Sequence, residues 1–202
     1  MDGVITDTMP YHYRAWKNIF NSLGINISKF DIYYREGQRG IQGVKEICEK
    51  YNACTKRQYL IDILNAKEEN FKKIVKIKFI KGSRSFLKKL KSKGYRLALV
   101  TGTARHEAEK ILPKHIYNLF ETVITGSDVK KGKPHPEPFL KALKHLKIKQ
   151  TEAIVIENAP FGIESAKNAG IFCVAIETSL SKKYLKKADI ILPSINSLKK
   201  YF

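Results

Sequence analysis

The sequence predicts an α/β fold: a Rossmann-like parallel sheet covered by helices on both faces, with a helical domain inserted near its start. Two observations carry that expectation. From about residue 80 onward, short apolar runs alternate with amphipathic helical segments, the pattern of a parallel sheet buried on both faces. From about residue 9 to 78 the signals are helical alone. Residues 1–8 and 79–202 therefore form the expected core, and residues 9–78 the insertion.

The elements follow in order. Thr8 is placed to cap a first helix, with Pro10 in a first turn where a missing N–H costs little. Trp16, Ile19, Phe20 and Leu23 then share one face, and Gly24 offers a stop. Residues 42–51 and 56–75 read as further amphipathic helices. Gly37, Gly40 and Gly43 make the segment before and into them a flexible loop. A helix over 83–93 stops at Gly94. Residues 97–100 form a buried strand, and a helix over 104–112 follows. Residues 123–125 are a second strand and 136–146 a helix. Residues 153–156 are a third strand, and 160–169 a helix ending at Gly170. The last two strands are 172–176 and 190–192.

Composition narrows the setting. With 202 residues, 43% of them hydrophobic, the chain can bury the core of one domain plus a small insertion. No run approaches the roughly 18–20 apolar residues of a membrane span, and the polar, acid-bearing start does not read as a signal peptide. Cys48, Cys54 and Cys173 are odd in number and scattered. That argues against a disulfide framework or zinc site and suits a reducing, cytoplasmic setting. The net charge is +19. The lysines spread along helix faces, as in Lys72-Lys73, Lys182-Lys183 and Lys186-Lys187, which reads as solvated surface rather than a polyanion site. No nucleic-acid or membrane partner is expected. Attraction of small anionic substrates follows either way.

Open parallel sheets bind ligands beyond the carboxyl ends of their strands, so the residues just after each strand are the candidates. Thr101-Gly102-Thr103 follows the first run. A hydroxyl and backbone N–H groups at a helix entry can cradle a phosphate, although Thr-Gly also makes a plain turn. Lys133, in Lys131-Gly132-Lys133-Pro134-His135-Pro136, is followed by two prolines in three residues, which hold the loop stiff. It could neutralise a phosphate and a carboxylate together, or be a surface lysine in a proline turn. Glu157-Asn158 follows the third strand. Adjacent oxygen ligands suit Mg²⁺; the same pair could simply cap the next helix. Asp2 is a carboxylate able to protonate a leaving oxygen and then activate water. Asp7 is expected to tie down backbone N–H groups at the entry to the first helix.

In order, Asp2-Gly3-Val4 with Asp7-Thr8, a strand ending Thr101-Gly102, Gly132-Lys133-Pro134-His135-Pro136, and a strand ending Glu157-Asn158 span the chain. This succession resembles the haloacid dehalogenase superfamily of phosphotransferases, in the branch of beta-phosphoglucomutases and small phosphatases. Tyr11-His12 and Arg14-Ala15-Trp16-Lys17 add a match to the beta-phosphoglucomutase type. The resemblance implies a helical cap over residues 9–78 and a Mg²⁺ cofactor. It also implies roles. Asp2 is the general acid/base, and its carbonyl also binds the metal. Thr101 and Gly102 bind phosphate, and Lys133 neutralises charge. Glu157 and Asn158 complete the metal site. His12 and Lys67 face the active site from the cap, and Arg39 joins them as a cap-side substrate residue.

Three departures stand out. In the family motif Asp-x-Asp-Gly-Val-x-x-Asp-Thr the first Asp is the nucleophile. Here it would fall one residue before Met1. Neither it nor the central strand that delivers it is among the 202 residues. Removing such a strand strands buried backbone groups at about 1–3 kcal/mol each, against a total stability of about 5–15 kcal/mol. The expectation is a missing N-terminal segment, and a chain that by itself performs no aspartyl-phosphate chemistry. Second, Asn158 stands where an Asp is commoner, with the loss of one charge. Third, the cap loop Arg35-Glu36-Gly37-Gln38-Arg39-Gly40-Ile41 lacks the lysine and the Ser-Arg-Glu pattern of a beta-phosphoglucomutase. The resemblance thus implies a Mg²⁺-dependent phosphomonoester hydrolase acting on a small phosphorylated metabolite. A sugar-phosphate mutase and a non-catalytic phospholigand-binding protein are the alternatives.

Overall fold

The computed structural model describes residues 1–38 and 40–202. Arg39, one of the expected cap residues, lies outside the described residues.

Four helices come first: α1 (Met9–Ser22), α2 (Lys29–Tyr34), α3 (Gly40–Lys50) and α4 (Arg57–Ile74). They bury a core of their own, with Trp16, Phe20, Ile27, Val44, Ile47, Leu60 and Ile63 at its centre. The α2 helix was not anticipated. It is short and has no long apolar period, but Ser28 and Asp31 form a capping box that starts it. Gly40 and Gly43 are helical rather than loop. Burial of Val44, Ile47 and Cys48 at helical spacing outweighs the roughly 0.5–1 kcal/mol entropic cost of each helical glycine. Leu23 is exposed rather than on the buried face, because α1 ends at Ser22 and the chain turns away there.

Two readings at the entry to α1 need correction. The Thr8 side chain makes no cap hydrogen bond; its hydroxyl donates to Asp2 instead. Asp7 anchors through its backbone N–H, which donates to the Lys78 carbonyl. Its carboxylate forms no hydrogen bond to a described residue.

The remainder alternates as expected. The helices are α5 (Ser83–Ser92), α6 (Arg105–Ile111), α7 (Lys114–Tyr117), α8 (Glu137–Leu146), α9 (Pro160–Asn168) and α10 (Ile195–Leu198). The strands are β1 (Ala98–Val100), β2 (Thr122–Ile124), β3 (Ile154–Glu157), β4 (Phe172–Ile176) and β5 (Ile190–Leu192). All strand pairs are parallel. Leu99 pairs with Val123, Val155 with Cys173, and Ala175 with Ile191. The one-turn helices α7 and α10 are too short to leave a period in the sequence.

The sheet is divided. β1 bonds only to β2, and β3 only to β4 in the order β3-β4-β5. Between β1 and β3 lies an apolar cavity of about 480 Å³, walled among others by Ile5, Leu99, Phe139, Leu143, Val155 and Ile156. The interruption falls where the central strand is expected, and no described residue fills it as a strand. Among the described residues no helix is long and apolar enough to cross a membrane.

Candidate active site

Every sequence-predicted site residue of the core sits at the carboxyl edge of the sheet or in the turn beside it. Thr101 follows β1, Glu157 ends β3 and Asn158 follows it. Lys133 comes from the loop after β2. Asp2 belongs to a tight turn closed by hydrogen bonds from Gly3 N to Thr6 O and from Ile5 N to Met1 O, both 2.7 Å.

The Asp2 carboxylate is buried and well provided with donors. Thr8 Oγ1 donates to Oδ1, Thr103 Oγ1 donates to Oδ2 at 3.1 Å, and His12 Nε2 lies 3.5 Å from Oδ1. Burial alone would raise its pKa. The hydrogen bond and charge of His12, with the Thr8 hydroxyl, outweigh that and hold it well below the usual carboxylate range.

Lys133 is 3% exposed. Its ammonium donates to Glu157 Oε1 at 2.5 Å and to the Val100 carbonyl at 3.3 Å. The peptide bond to Pro134 is cis. The other Glu157 oxygen accepts from the Asn158 backbone N–H at 3.0 Å. Gly162, in the first turn of α9, lies against the Glu157 carboxylate so closely that a Cβ there would occupy the same space. Asn158 is 1% exposed. Its amide nitrogen donates to Ser179 Oγ and to Glu36 Oε2, both at 2.8 Å.

Glu36 is the residue that sequence reading missed. It comes from the loop between α2 and α3, yet it is buried at the core site, and its Oε1 has no hydrogen-bond partner among the described residues. Burial, with Asp2 and Glu157 as like charges, pushes its pKa well above the ordinary value despite the Asn158 hydrogen bond. Nothing in the local sequence announces this. A lone Glu in a Gly-rich loop reads as solvated surface.

Above these residues lies a cavity of about 350 Å³, with Asp2, His12, Glu36, Lys67, Thr101 and Gly102 in its walls. The helical layer contributes three of the six. His12 stacks on Phe71 with ring centroids 4.0 Å apart. Lys67 is buried over two rings, 4.9 Å from the Phe71 centroid and 5.5 Å from that of Trp16. Burial lowers the pKa of both His12 and Lys67, and for His12 the Lys67 charge adds to the effect. The Gly102 backbone meets the loop of the helical layer directly, with no space for a Cβ before Gly37 O. Lys133, Glu157 and Asn158 do not line this cavity. They join it through Glu36, which lines the cavity and accepts from Asn158. Of the two hydroxyls on Asp2, Thr8 was expected to cap α1, and Thr103 stood inside a quoted motif without an assigned role.

The donors are of the kind a hard cation takes: Asp2, Glu36, Glu157 and the Asn158 amide all offer oxygens. The buried Asp2, Glu36 and Glu157 carboxyls share the site with two buried ammonium groups, Lys133 on Glu157 and Lys67 toward Asp2, and one carboxyl oxygen, Glu36 Oε1, has no hydrogen-bond partner among the described residues. A buried carboxyl oxygen left so is a place where a cation would be satisfied.

A parallel α/β sheet with polar residues gathered at its carboxyl edge, under a helical layer that closes the cavity, defines the architecture of a two-part phosphotransfer enzyme. The chain belongs to the haloacid dehalogenase-like hydrolases: that family's model matches residues 1–176. It falls in the beta-phosphoglucomutase-like branch of phosphatases and phosphomutases. A phosphorylated carbohydrates phosphatase of Thermotoga maritima is 33% identical over 187 residues, 85% of this chain and 79% of that protein. The beta-phosphoglucomutase of Bacillus subtilis is 28% identical over 190 residues, 87% of this chain and 80% of that protein. The crystal structure of a beta-phosphoglucomutase from Clostridium difficile superposes with a TM-score of 0.86 at 28% identity, covering 99% of this chain and 91% of that one.

Proposed function

We propose that this site serves a Mg²⁺-dependent phosphomonoester hydrolase of the haloacid dehalogenase type, acting on a small phosphorylated metabolite beneath a helical cap. The observation that carries the reading is the shared cavity: Asp2, Thr101 and Gly102 from the core face His12 and Lys67 from the helical layer. An anionic phosphate and a polar organic moiety would be met from the two sides.

In this reading the cap spans residues 9–78 and the core residues 1–8 and 79–202. The family nucleophile, a carboxylate two residues ahead of Asp2, attacks phosphorus as the bond to the leaving oxygen breaks. Asp2 gives its proton to that oxygen, then accepts one from the water that cleaves the aspartyl-phosphate. Held deprotonated by its neighbours, it starts in the form the second task needs. A phosphate dianion beside it raises the pKa toward the first. The Thr101 hydroxyl and the Gly102 N–H hold equatorial oxygens, and Lys133 balances charge through Glu157. Asp2, Glu157 and Asn158 would hold Mg²⁺, which supplies charge neutralisation for the transferring phosphoryl group. The cap excludes water.

The nucleophile is not among these 202 residues, so the chain alone is inactive in this reading. Mg²⁺-dependent hydrolysis of p-nitrophenyl phosphate tests it with two proteins: this chain, and the chain preceded by an apolar strand ending in Asp. Turnover only in the second, abolished by Asp2→Asn, supports the proposal. Turnover by the chain alone, in a rigorously purified sample, overturns the proposed inactivity. A sugar-phosphate mutase is the second reading, favoured by the likeness to beta-phosphoglucomutases and by His12 beside Asp2. A requirement for a sugar bisphosphate in turnover would select it. Binding of a phosphorylated ligand without turnover in either protein would select a non-catalytic role.

A further inference from the structure

Two of the sequence's departures from its family meet in space. The core acidic pair carries an amide at its second position, Asn158. The loop of the helical layer, which lacks the lysine expected of a beta-phosphoglucomutase, carries an acid, Glu36. The two side chains are hydrogen-bonded at 2.8 Å, Asn158 Nδ2 donating to Glu36 Oε2.

We propose that Glu36 supplies, from the cap, the negative charge that the core site lacks at Asn158, so that the cation site is completed only when the cap is closed. The inference rests on the reading of Asp2, Glu157 and Asn158 as the cation's core ligands.

Four observations support it. Glu36 is 8% exposed although it lies in a loop of the helical layer, so it reaches into the core rather than into solvent. Its Oε1 is buried without a donor among the described residues. A buried carboxyl oxygen in that state is costly, and a hard cation is a partner that would satisfy it. Asn158 ties Glu36 to Glu157: the Asn158 backbone N–H donates to Glu157 Oε2 at 3.0 Å while its side-chain amide donates to Glu36 Oε2 at 2.8 Å. The Asn158 amide nitrogen is already committed to Glu36 and Ser179. That orientation keeps both of its N–H bonds off the cation and leaves its oxygen as the group it can offer.

The consequence is a coupling that a purely core-borne site lacks. The cap loop lies against the core at Gly37, on Gly102 and the Lys133 stem, one residue from Glu36. Opening the cap would withdraw Glu36 and leave the core with one charge fewer. Cation binding and cap closure would then favour one another, each raising the other's equilibrium by the same factor.

The test uses the chain as it stands, with Mn²⁺ and Mg²⁺ as probes. Binding is read by Mn²⁺ electron paramagnetic resonance, by Mg²⁺ competition, and by the cation-induced rise in Tm. The expected result is that Glu36→Gln weakens binding about 10- to 100-fold, the range for losing a group that tunes a metal site. Asn158→Asp returns the charge to the core, so Glu36→Gln should cost little in that background. Equal affinity in the wild type and Glu36→Gln overturns the inference while leaving the cation site intact. An equal loss in both backgrounds overturns it too, since Glu36 would then matter for folding rather than charge. No binding by the wild type overturns the cation reading itself, and this inference with it.

Discussion

The Lys133 ammonium lies 2.5 Å from a Glu157 carboxylate oxygen, and both side chains are almost wholly withdrawn from water. The pair joins the loop after β2 to the end of β3. A charge pair so placed is held by mutual dependence: each ion is tolerable only beside the other. Lys133→Met should therefore destabilise the protein by about 3–5 kcal/mol, because it leaves a buried carboxylate alone. Lys133→Met with Glu157→Gln should recover part of that loss. Urea unfolding of the two variants decides it, and a cost under about 1 kcal/mol for the single substitution would show the pair to be solvated.

Gly162→Ala should reverse the usual sign of a glycine replacement. In a helix the change ordinarily gains about 0.5–1 kcal/mol. Here the new Cβ would fall on the Glu157 carboxylate, and the carboxylate is fixed by Lys133 and the Asn158 N–H. Overpacking of this kind costs about 1–3 kcal/mol. A lower Tm together with weaker Mn²⁺ binding is the expected outcome. A higher Tm would mean that Glu157 moves aside freely.

Asp31→Asn tests the core of the helical layer. The carboxylate accepts from the Ser28 N–H at 2.9 Å, Ser28 Oγ at 2.7 Å, Tyr51 OH at 2.8 Å and Lys50 Nζ at 2.5 Å. Burial would raise its pKa. The Lys50 and Ser28 hydrogen bonds, with Tyr51, overcome that and bring it down to about 2. A folded value below the ordinary value of about 3.9 means that the unfolded chain binds the proton more readily. The contribution is then present above about pH 4 and lost as pH falls from there toward 2. The substitution should cost about 1.5–3 kcal/mol near neutrality, since Lys50 is half exposed and can turn to water. Between pH 4 and 2 the gap between wild type and variant should narrow. A gap constant with pH would mean that Asp31 holds no depressed pKa.

How much of this could be read beforehand follows from the range of the interactions. All five strands, and the stops at Gly24, Gly94 and Gly170, were legible because a buried strand is an apolar run and a helix stop is a positive φ, here 73°, 83° and 72°. Both are local. Thr101, Lys133, Glu157 and Asn158 were legible for a related reason: each follows or lies between strands of a parallel sheet, where topology alone gathers polar groups. The chain gives no local cue for Glu36, because its environment is made by Asn158, 122 residues away. The capping box Ser28-x-x-Asp31 was visible in the sequence but starts a helix too short to show a period. The Thr8 hydroxyl was assigned to the helix it precedes, and the structure gives it to Asp2, a competitor that carries full charge.

Gly102→Ala should hold the helical layer away from the core. The added Cβ would overlap Gly37 O and lie 2.8 Å from Gln38 O. Both obstacles are backbone, so no rotamer relieves them, and one of the two surfaces must shift. Trp16 reports the shift, since it is the only tryptophan in the chain. It is buried among the helices beside Lys67 and lines the same cavity. Separation would admit water to its indole. The expected result is a red-shifted emission, stronger acrylamide quenching, and a loss of about 1–3 kcal/mol from the forced repacking. If closure brings Glu36 to the cation site, the same variant should also bind Mn²⁺ more weakly, although residue 102 is no ligand. Unchanged emission with normal stability would mean that the 37–38 backbone yields locally and that the contact at Gly102 does not set the position of the helical layer.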